Sequence, residues 1–303
     1  MATYYAVNPY EVVQLQAQFL AEIGAHGDTE HWLALMDTAF DHGNQAVRWP
    51  LPVWPAYHQG KFASMQSLSP TLLELPPRTD AEFESALAHL LAHCNGRPML
   101  SFLKTPLSPQ VLRESWQKIL KIRTEDQQLF ILRFADTRTT PGIAAVLTEA
   151  WARLSHGVDQ WHYIDREGRL QNLPVAAPGK PASQTGSLQE TICIDDKALA
   201  RLLKHGQADA VASALEEHFP ELLMPQSQGA QMYRQLNATC ALAEKHGIEA
   251  FPDVVALAVS VALSEGDLLK DAGFEHWLAQ RQWEPHGMAK ALADHFEPEE
   301  APQ

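Results

Sequence analysis

The stretch LFILRFADTR, Leu129 to Arg138, is where the fold is decided. Its first seven residues form a near-continuous apolar run, the pattern of a strand buried on both faces. Such a strand needs helices on either side, and the flanking sequence provides them. Upstream, Ser108-Pro109 opens a helix carrying Val111, Leu112, Trp116, Ile119 and Leu120 at helical spacing. Downstream, Thr140-Pro141 opens another that runs through Leu154 and is closed by Gly157.

Working outward, PMLSFL (Pro98 to Leu103) reads as a strand, preceded by a helix that Thr79 and Glu82 open and Gly96 stops. HWLALMD (His31 to Asp37) and Thr71 to Leu75 read as two further strands. Between them RWPLPVWPAYHQGK (Arg48 to Lys61) is too proline-rich for a central strand and is expected as an ordered loop. A first helix is expected with Asn8 as its cap, Pro9 in its first turn and Gly24 at its end. QWHYI and RLQNL flank Arg166-Glu167-Gly168 as a hairpin. Strands alternating with helices predict an α/β (α+β) lobe over residues 1–175, with a mixed sheet and flanking helices.

The segment VAAPGKPASQTGS (Val175 to Ser187) has no periodicity, so 176–193 is expected to be a linker or exposed loop. From 194 to 296 the pattern is helical throughout, with stops expected at Gly206, Gly247 and Gly266; the tail 297–303 is expected to be disordered. The prediction for this half is an all-helical lobe.

Hydrophobic residues make up 46% of the chain and charged residues 20%, enough to bury a sizeable core. The net charge of −14 is uneven: from Asp195 onward 18 acidic side chains face 8 basic ones, a balance of −10. An acidic surface repels phosphate backbones and anionic lipid heads, so neither nucleic acid nor a membrane is expected as partner. Cys94, Cys193 and Cys240 form no CxxC pair, which points to a reducing compartment. The opening residues MATYYAVNPYEVVQ have no basic stretch ahead of an apolar one, and no segment approaches the length of a membrane helix. A cytoplasmic location is expected.

Catalytic signatures are missing from the sequence. It has no GxxxxGK[ST], GxGxxG, GxSxG or HExxH. His89 and His93 share a helix face with Cys94 close by, but a structural zinc site needs four ligands, and Cys94 projects about a hundred degrees from His93. No catalytic residue, cofactor or metal is expected. The aromatic residues say more: Trp49, Trp54, Tyr57 and Phe62 crowd one stretch, and Trp161 sits in the hairpin. Such side chains anchor protein interfaces when exposed.

The stretch from about Leu33 to Leu170 resembles the family catalogued as domain of unknown function 4123. The resemblance rests on an ordered series. ALMDTAF (Ala34 to Phe40) is similar to its opening strand, and WPAYHQG (Trp54 to Gly60) to its aromatic-then-glycine turn. SPTLLEL (Ser69 to Leu75) is similar to its proline-led second strand, and LFILRFADTR to its most recognisable segment. Ala135 and Thr137 stand where that segment usually has an aromatic residue and a proline. The resemblance implies a non-enzymatic adaptor or chaperone for a type VI secretion effector, with a groove for the partner. The partners it implies are the effector, bound through a small β-domain or a PAAR-linked segment, and the spike protein.

The motif carries over Arg133, Asp136 and Arg138. Arg133 and Asp136 are expected to pair at the end of the strand, leaving Arg138 to touch a partner; Trp161, Trp54 and Tyr57 complete the expected contact set. Two other readings stay open: a hydrolytic or metal-dependent enzyme whose site is dispersed in sequence, and an immunity protein that neutralises a toxin.

Overall fold

The run HWLALMD forms strand β1 (His31–Asp37), buried at every position after the first. The computed structural model describes residues 3–23, 31–41, 49–175, 191–281 and 283–296 of the chain. Strands β2 (Val53–Pro55), β3 (Pro70–Glu74), β4 (Leu100–Thr105), β7 (Gln160–Ile164) and β8 (Leu170–Leu173) join β1 in a six-stranded sheet, order β2-β3-β1-β4-β7-β8. Every pairing in it is antiparallel, with Leu35 opposite Leu72 and Leu33 opposite Leu103. An antiparallel sheet usually leaves one face wet. Here helices cover both, which explains why β1 and β4 are apolar without alternation.

On one face, α1 (Val12–Glu22) lays Phe19 against Trp32 and Phe102, with ring centroids 5.3 and 4.3 Å apart. Beside it α2 (Glu82–Cys94) buries Phe83, Leu87, Leu90 and Leu91. On the other face Leu33, Leu35, Leu72, Leu103 and Trp161 meet α3 (Pro109–Trp116), α4 (Thr140–Val146) and α5 (Thr148–Leu154) through Leu112, Trp116, Ile143, Trp151 and Leu154. Ser108 caps α3 as expected, its hydroxyl accepting from the Val111 amide at 3.3 Å. The helix expected from Thr140 to Leu154 is instead two, broken at Leu147, whose φ of −102° and ψ of 65° leave the helical region.

The decisive stretch is read differently by the structure. Only Leu129–Ile131 is a strand (β6), and all three residues are exposed. Strand β6 is the edge of a second, three-stranded sheet, order β6-β5-β9, with β5 (Lys121–Thr124) antiparallel to it and β9 (Ile192–Ile194) parallel to β5. The mixed pairing thus lies in this small sheet. Leu132, Phe134 and Ala135 are buried, but past the end of the strand, Phe134 and Ala135 in a turn. Within the stretch expected as a loop, β2 forms an edge strand, the place where proline is tolerated.

The chain packs as two units, Pro9–His205 and Met1–Asn8 with Gly206–Gln303. The division falls within α6 (Asp196–His218), which runs through Gly206 without the expected stop. Ala198, Leu199 and Leu202 pack on the core of the first unit. The second unit contains α7 (Gly229–Lys245), α8 (Phe251–Leu263), α9 (Ala272–Ala279) and α10 (Met288–Phe296) around Leu215, Leu236, Leu257, Phe274 and Leu292. Gly247 ends α7 at a φ of 67°, a left-handed turn that suits glycine. Asn8 does not cap α1: its side-chain oxygen accepts from the Ala230 amide at 2.9 Å, at the start of α7. The stop expected at Gly24, the body of the linker (176–190) and the tail (297–303) lie outside the described residues.

Candidate functional site

Asp37 ends β1, and the chain turns at once into a short 3-10 helix, Thr38–Asp41, that buries Phe40. Facing it are the turns after β6, held at the sheet's end by the Thr137 amide donating to the Pro98 carbonyl at 3.0 Å. Thr139 and Thr140 lock these turns, their hydroxyls donating to the carbonyls of Arg133 (2.7 Å) and Phe134 (2.9 Å). Together the two segments assemble four charged side chains around one aromatic ring.

Arg133 donates from Nη2 to Asp37 Oδ2 at 2.7 Å and lies 3.7 Å from Asp136. Asp136 is gripped by Arg138 through two bonds, Nε to Oδ1 at 3.0 Å and Nη2 to Oδ2 at 2.8 Å. Both guanidinium groups sit over Phe40, at 5.3 and 5.4 Å from its centroid. The expected Arg133–Asp136 contact exists, but the tight pairs are Arg133 with Asp37 and Arg138 with Asp136.

Burial decides what this cluster can do. The side chains of Asp37 and Asp136 are 3% and 2% exposed, Arg138 is 17% and Arg133 is 46%. Burial pushes the Asp37 carboxyl above the ordinary carboxylate range, against the pull of Arg133. The Asp37 Oδ1 also accepts from the Ala39 amide, and the Asp136 Oδ1 from the Arg138 amide. Both carboxylates are therefore engaged on both oxygens and shielded. Arg133 is the member that presents most surface to solvent.

Tyr57 is buried, stacked on Phe62 with centroids 4.8 Å apart. Its hydroxyl is pushed up to about 12, first by burial and then by the charge of Asp37. Trp54 is half-buried on β2, with the Arg113 guanidinium 5.3 Å over its ring. Trp161 is fully buried, 4.7 Å from Trp151. The structure thus gathers Arg133, Asp136 and Arg138, places Tyr57 within electrostatic reach, and makes Trp161 part of the core. Asp37 and Phe40 belong to the cluster without having been singled out. A lone aspartate closing an apolar strand was the available signal.

The His89, His93 and Cys94 trio serves packing. His93 Nε2 lies 3.0 Å from both Asp41 oxygens, and Trp49 packs edge-on against His89 and His93 at 5.2 and 5.0 Å. Cys94 is fully buried, its thiol donating to Met36 Sδ at 3.8 Å and pushed well up by burial. Among the described residues no three His, Cys, Asp or Glu are placed to hold a metal ion. In the second unit an open cleft of about 520 Å³ is lined by His246, Arg281, Trp283 and His286; Asp253 on its wall holds the His286 and Met288 amides. Among the described residues no helix is long and apolar enough to cross a membrane.

Residues 32–153 match the model of a family described as domain of unknown function (DUF4123), less than half of the chain. Asp37, Phe40, Trp54, Tyr57, Arg133, Asp136 and Arg138 fall inside the matched span, and Trp161 falls beyond it. No curated protein and no solved structure matches the chain.

Proposed function

We propose that this chain is a non-enzymatic adaptor that binds a type VI secretion effector and helps load it onto the spike complex. The family match over residues 32–153 carries the reading, because it covers the whole charged cluster around Phe40. The cluster's chemistry supports docking over turnover: its two carboxylates are buried and held by guanidinium and amide donors, which leaves them no free position for acid–base work. Arg133, half in solvent over an aromatic ring, has the character of an interface side chain. In this reading the chain acts in the bacterial cytoplasm, before secretion, on an effector presenting a small β-domain or a PAAR-linked segment.

The test is co-purification. The full chain is expressed with tagged effector candidates and a spike protein encoded nearby, and the products are weighed by light scattering. A stable complex that raises effector solubility is expected. A lone monomer beside folded candidates overturns the adaptor reading. A complex in which the effector's toxic activity is abolished, rather than preserved on release, makes the chain an immunity protein instead.

A further inference from the structure

Strand β6 leaves Leu129, Phe130 and Ile131 exposed at 54%, 42% and 39%, three large apolar side chains in a row. The other exposed large apolar residues among the described ones stand singly in sequence. The strand is also an open edge, since β5 is its neighbour on one side and no described strand pairs on the other. Edges are usually blunted by charge or proline. The edge strand β2 of the larger sheet has Pro52 before it and Pro55 within it, whereas β6 has neither device.

The hydrogen-bond phase fixes which backbone groups face outward. The Leu132 amide donates to the Leu120 carbonyl and the Thr124 amide to the Gln128 carbonyl, each at 3.0 Å. With Phe130 opposite Ile122, the alternation of an antiparallel ladder turns residues 128, 130 and 132 toward β5. The N–H and C=O groups of Leu129 and Ile131 therefore point to the open side.

Charge selects the occupant. On the outward face Arg123 lies opposite Leu129 and Lys121 opposite Ile131, with the exposed Cys193 beyond Arg123. Among the described residues neither cation is paired with a carboxylate, although Lys121 lies 4.7 Å over the Phe62 ring. Glu125 and Asp126 lie just past Arg123, at the hairpin tip, so the favourable position for an incoming acid is over Arg123 and Lys121. A second copy of the chain would bring the same cations, Arg123 and Lys121, to the edge rather than the carboxylates that complement them.

We infer that β6 is a docking edge, where an extended partner segment alternating apolar and acidic side chains adds as a fourth strand. Its main chain bonds to Leu129 and Ile131, and its carboxylates face Arg123 and Lys121 across two strand spacings, about 10 Å. This rests on the proposal that the chain binds a protein, and says where.

The test titrates the full chain with a fluorescein-labelled peptide of about ten residues alternating Val and Glu, beside the same peptide with Lys for Glu. Saturable binding of the acidic peptide is expected, weakened roughly ten-fold or more by Ile131→Pro, which removes an N–H on the open side, and about two-fold at low salt by Arg123→Glu, whose charge acts across about 10 Å. Circular dichroism checks that the variants fold, and Leu129→Lys with Ile131→Lys replaces the proline variant if it does not. Absence of saturable binding, equal binding of the lysine peptide, or indifference to all the substitutions overturns the docking edge. A dimer in light scattering that Ile131→Pro dissociates also overturns it, by seating a second copy there. Effector capture separates the two ideas: capture unaffected by the β6 variants sinks the edge alone, and peptide binding without any effector or spike capture sinks the adaptor reading alone.

Discussion

Arg133 holds Asp37 at 2.7 Å across 96 residues of chain, while Asp136, three residues away, is taken by Arg138. The pair is unequal, since Asp37 is buried and Arg133 is half in solvent. Removing the arginine strands a buried carboxylate, whereas removing the acid leaves a guanidinium that water can reach. Arg133→Met is therefore expected to cost about 2–3 kcal/mol, less than the ~3–5 of a fully buried pair. Asp37→Asn keeps an acceptor for the Ala39 amide and is expected to cost about 1 kcal/mol. Urea unfolding measures both, and a larger loss for Asp37→Asn would refute the asymmetry.

Asp37, at the end of β1, and Asp41, at the end of the 3-10 helix that follows, respond to pH in opposite senses. The Asp37 carboxyl lies above its ordinary 3.8, chiefly through burial. The folded state then holds more protons than the unfolded one, so this group's contribution is full below 3.8 and is lost as pH rises through the raised value. For Asp41 burial alone would do the same, but bonds from His93 and Arg97 outweigh it and hold the carboxyl below 3.8. Its contribution is present above 3.8 and lost as pH falls through the depressed value. Relative to the parent chain, Asp37→Asn should gain stability as pH rises, and Asp41→Asn should lose its deficit on acidification. Urea midpoints across the acid range check the signs; parallel curves for the two variants would contradict this account.

Strands β1, β4 and β7 were legible because their apolar runs end in polar or proline signals, and the Ser108-Pro109 helix start because its capping is local. LFILRFA misled because two environments give the same apolar run. Leu129 to Ile131 is an exposed edge, and Leu132, Phe134 and Ala135 are buried beyond it, the last two in a turn. No periodicity distinguishes a strand buried on both faces from a strand joined to a buried turn. The Asp37–Arg133 pair could not be read locally, since it joins segments that only the folded sheet brings together. The motif delivered three members of the cluster and left Asp37 and Phe40 to be found in space.

Trp161 is where aromatic composition and structure part most clearly. Buried against Trp151, it has an indole N–H without a hydrogen-bond partner among the described residues. Trp161→Ala is expected to cost about 3–5 kcal/mol through the cavity it leaves. Trp161→Phe removes the unsatisfied donor with part of the volume, so these effects oppose and the loss should stay under about 1.5 kcal/mol. Partner binding should be near normal in the phenylalanine variant. A strong binding loss there with little change in stability would return Trp161 to the interface.

Two helical glycines make a sharper test, because propensity predicts the same sign for both. Ala is worth about 1 kcal/mol over Gly inside a helix. Gly206 lies within α6, and a Cβ built there meets nothing within 4 Å, so Gly206→Ala should stabilise by up to that amount. Gly229 opens α7 with an ordinary helical φ of −56° and ψ of −42°. A Cβ there would lie 2.5 Å from the Val7 carbonyl oxygen and 2.6 Å from its nitrogen, backbone atoms of a buried residue. The same carbonyl accepts from Gln226 Nε2, and Asn8 next to it holds the Ala230 amide. That segment cannot shift without giving up these bonds. The overpacking cost of about 1–3 kcal/mol outweighs the propensity gain. Gly229→Ala should therefore destabilise, and thermal unfolding of the two variants should move in opposite directions. If both rise, the N-terminal segment does not pack on α7 as tightly as its hydrogen bonds require.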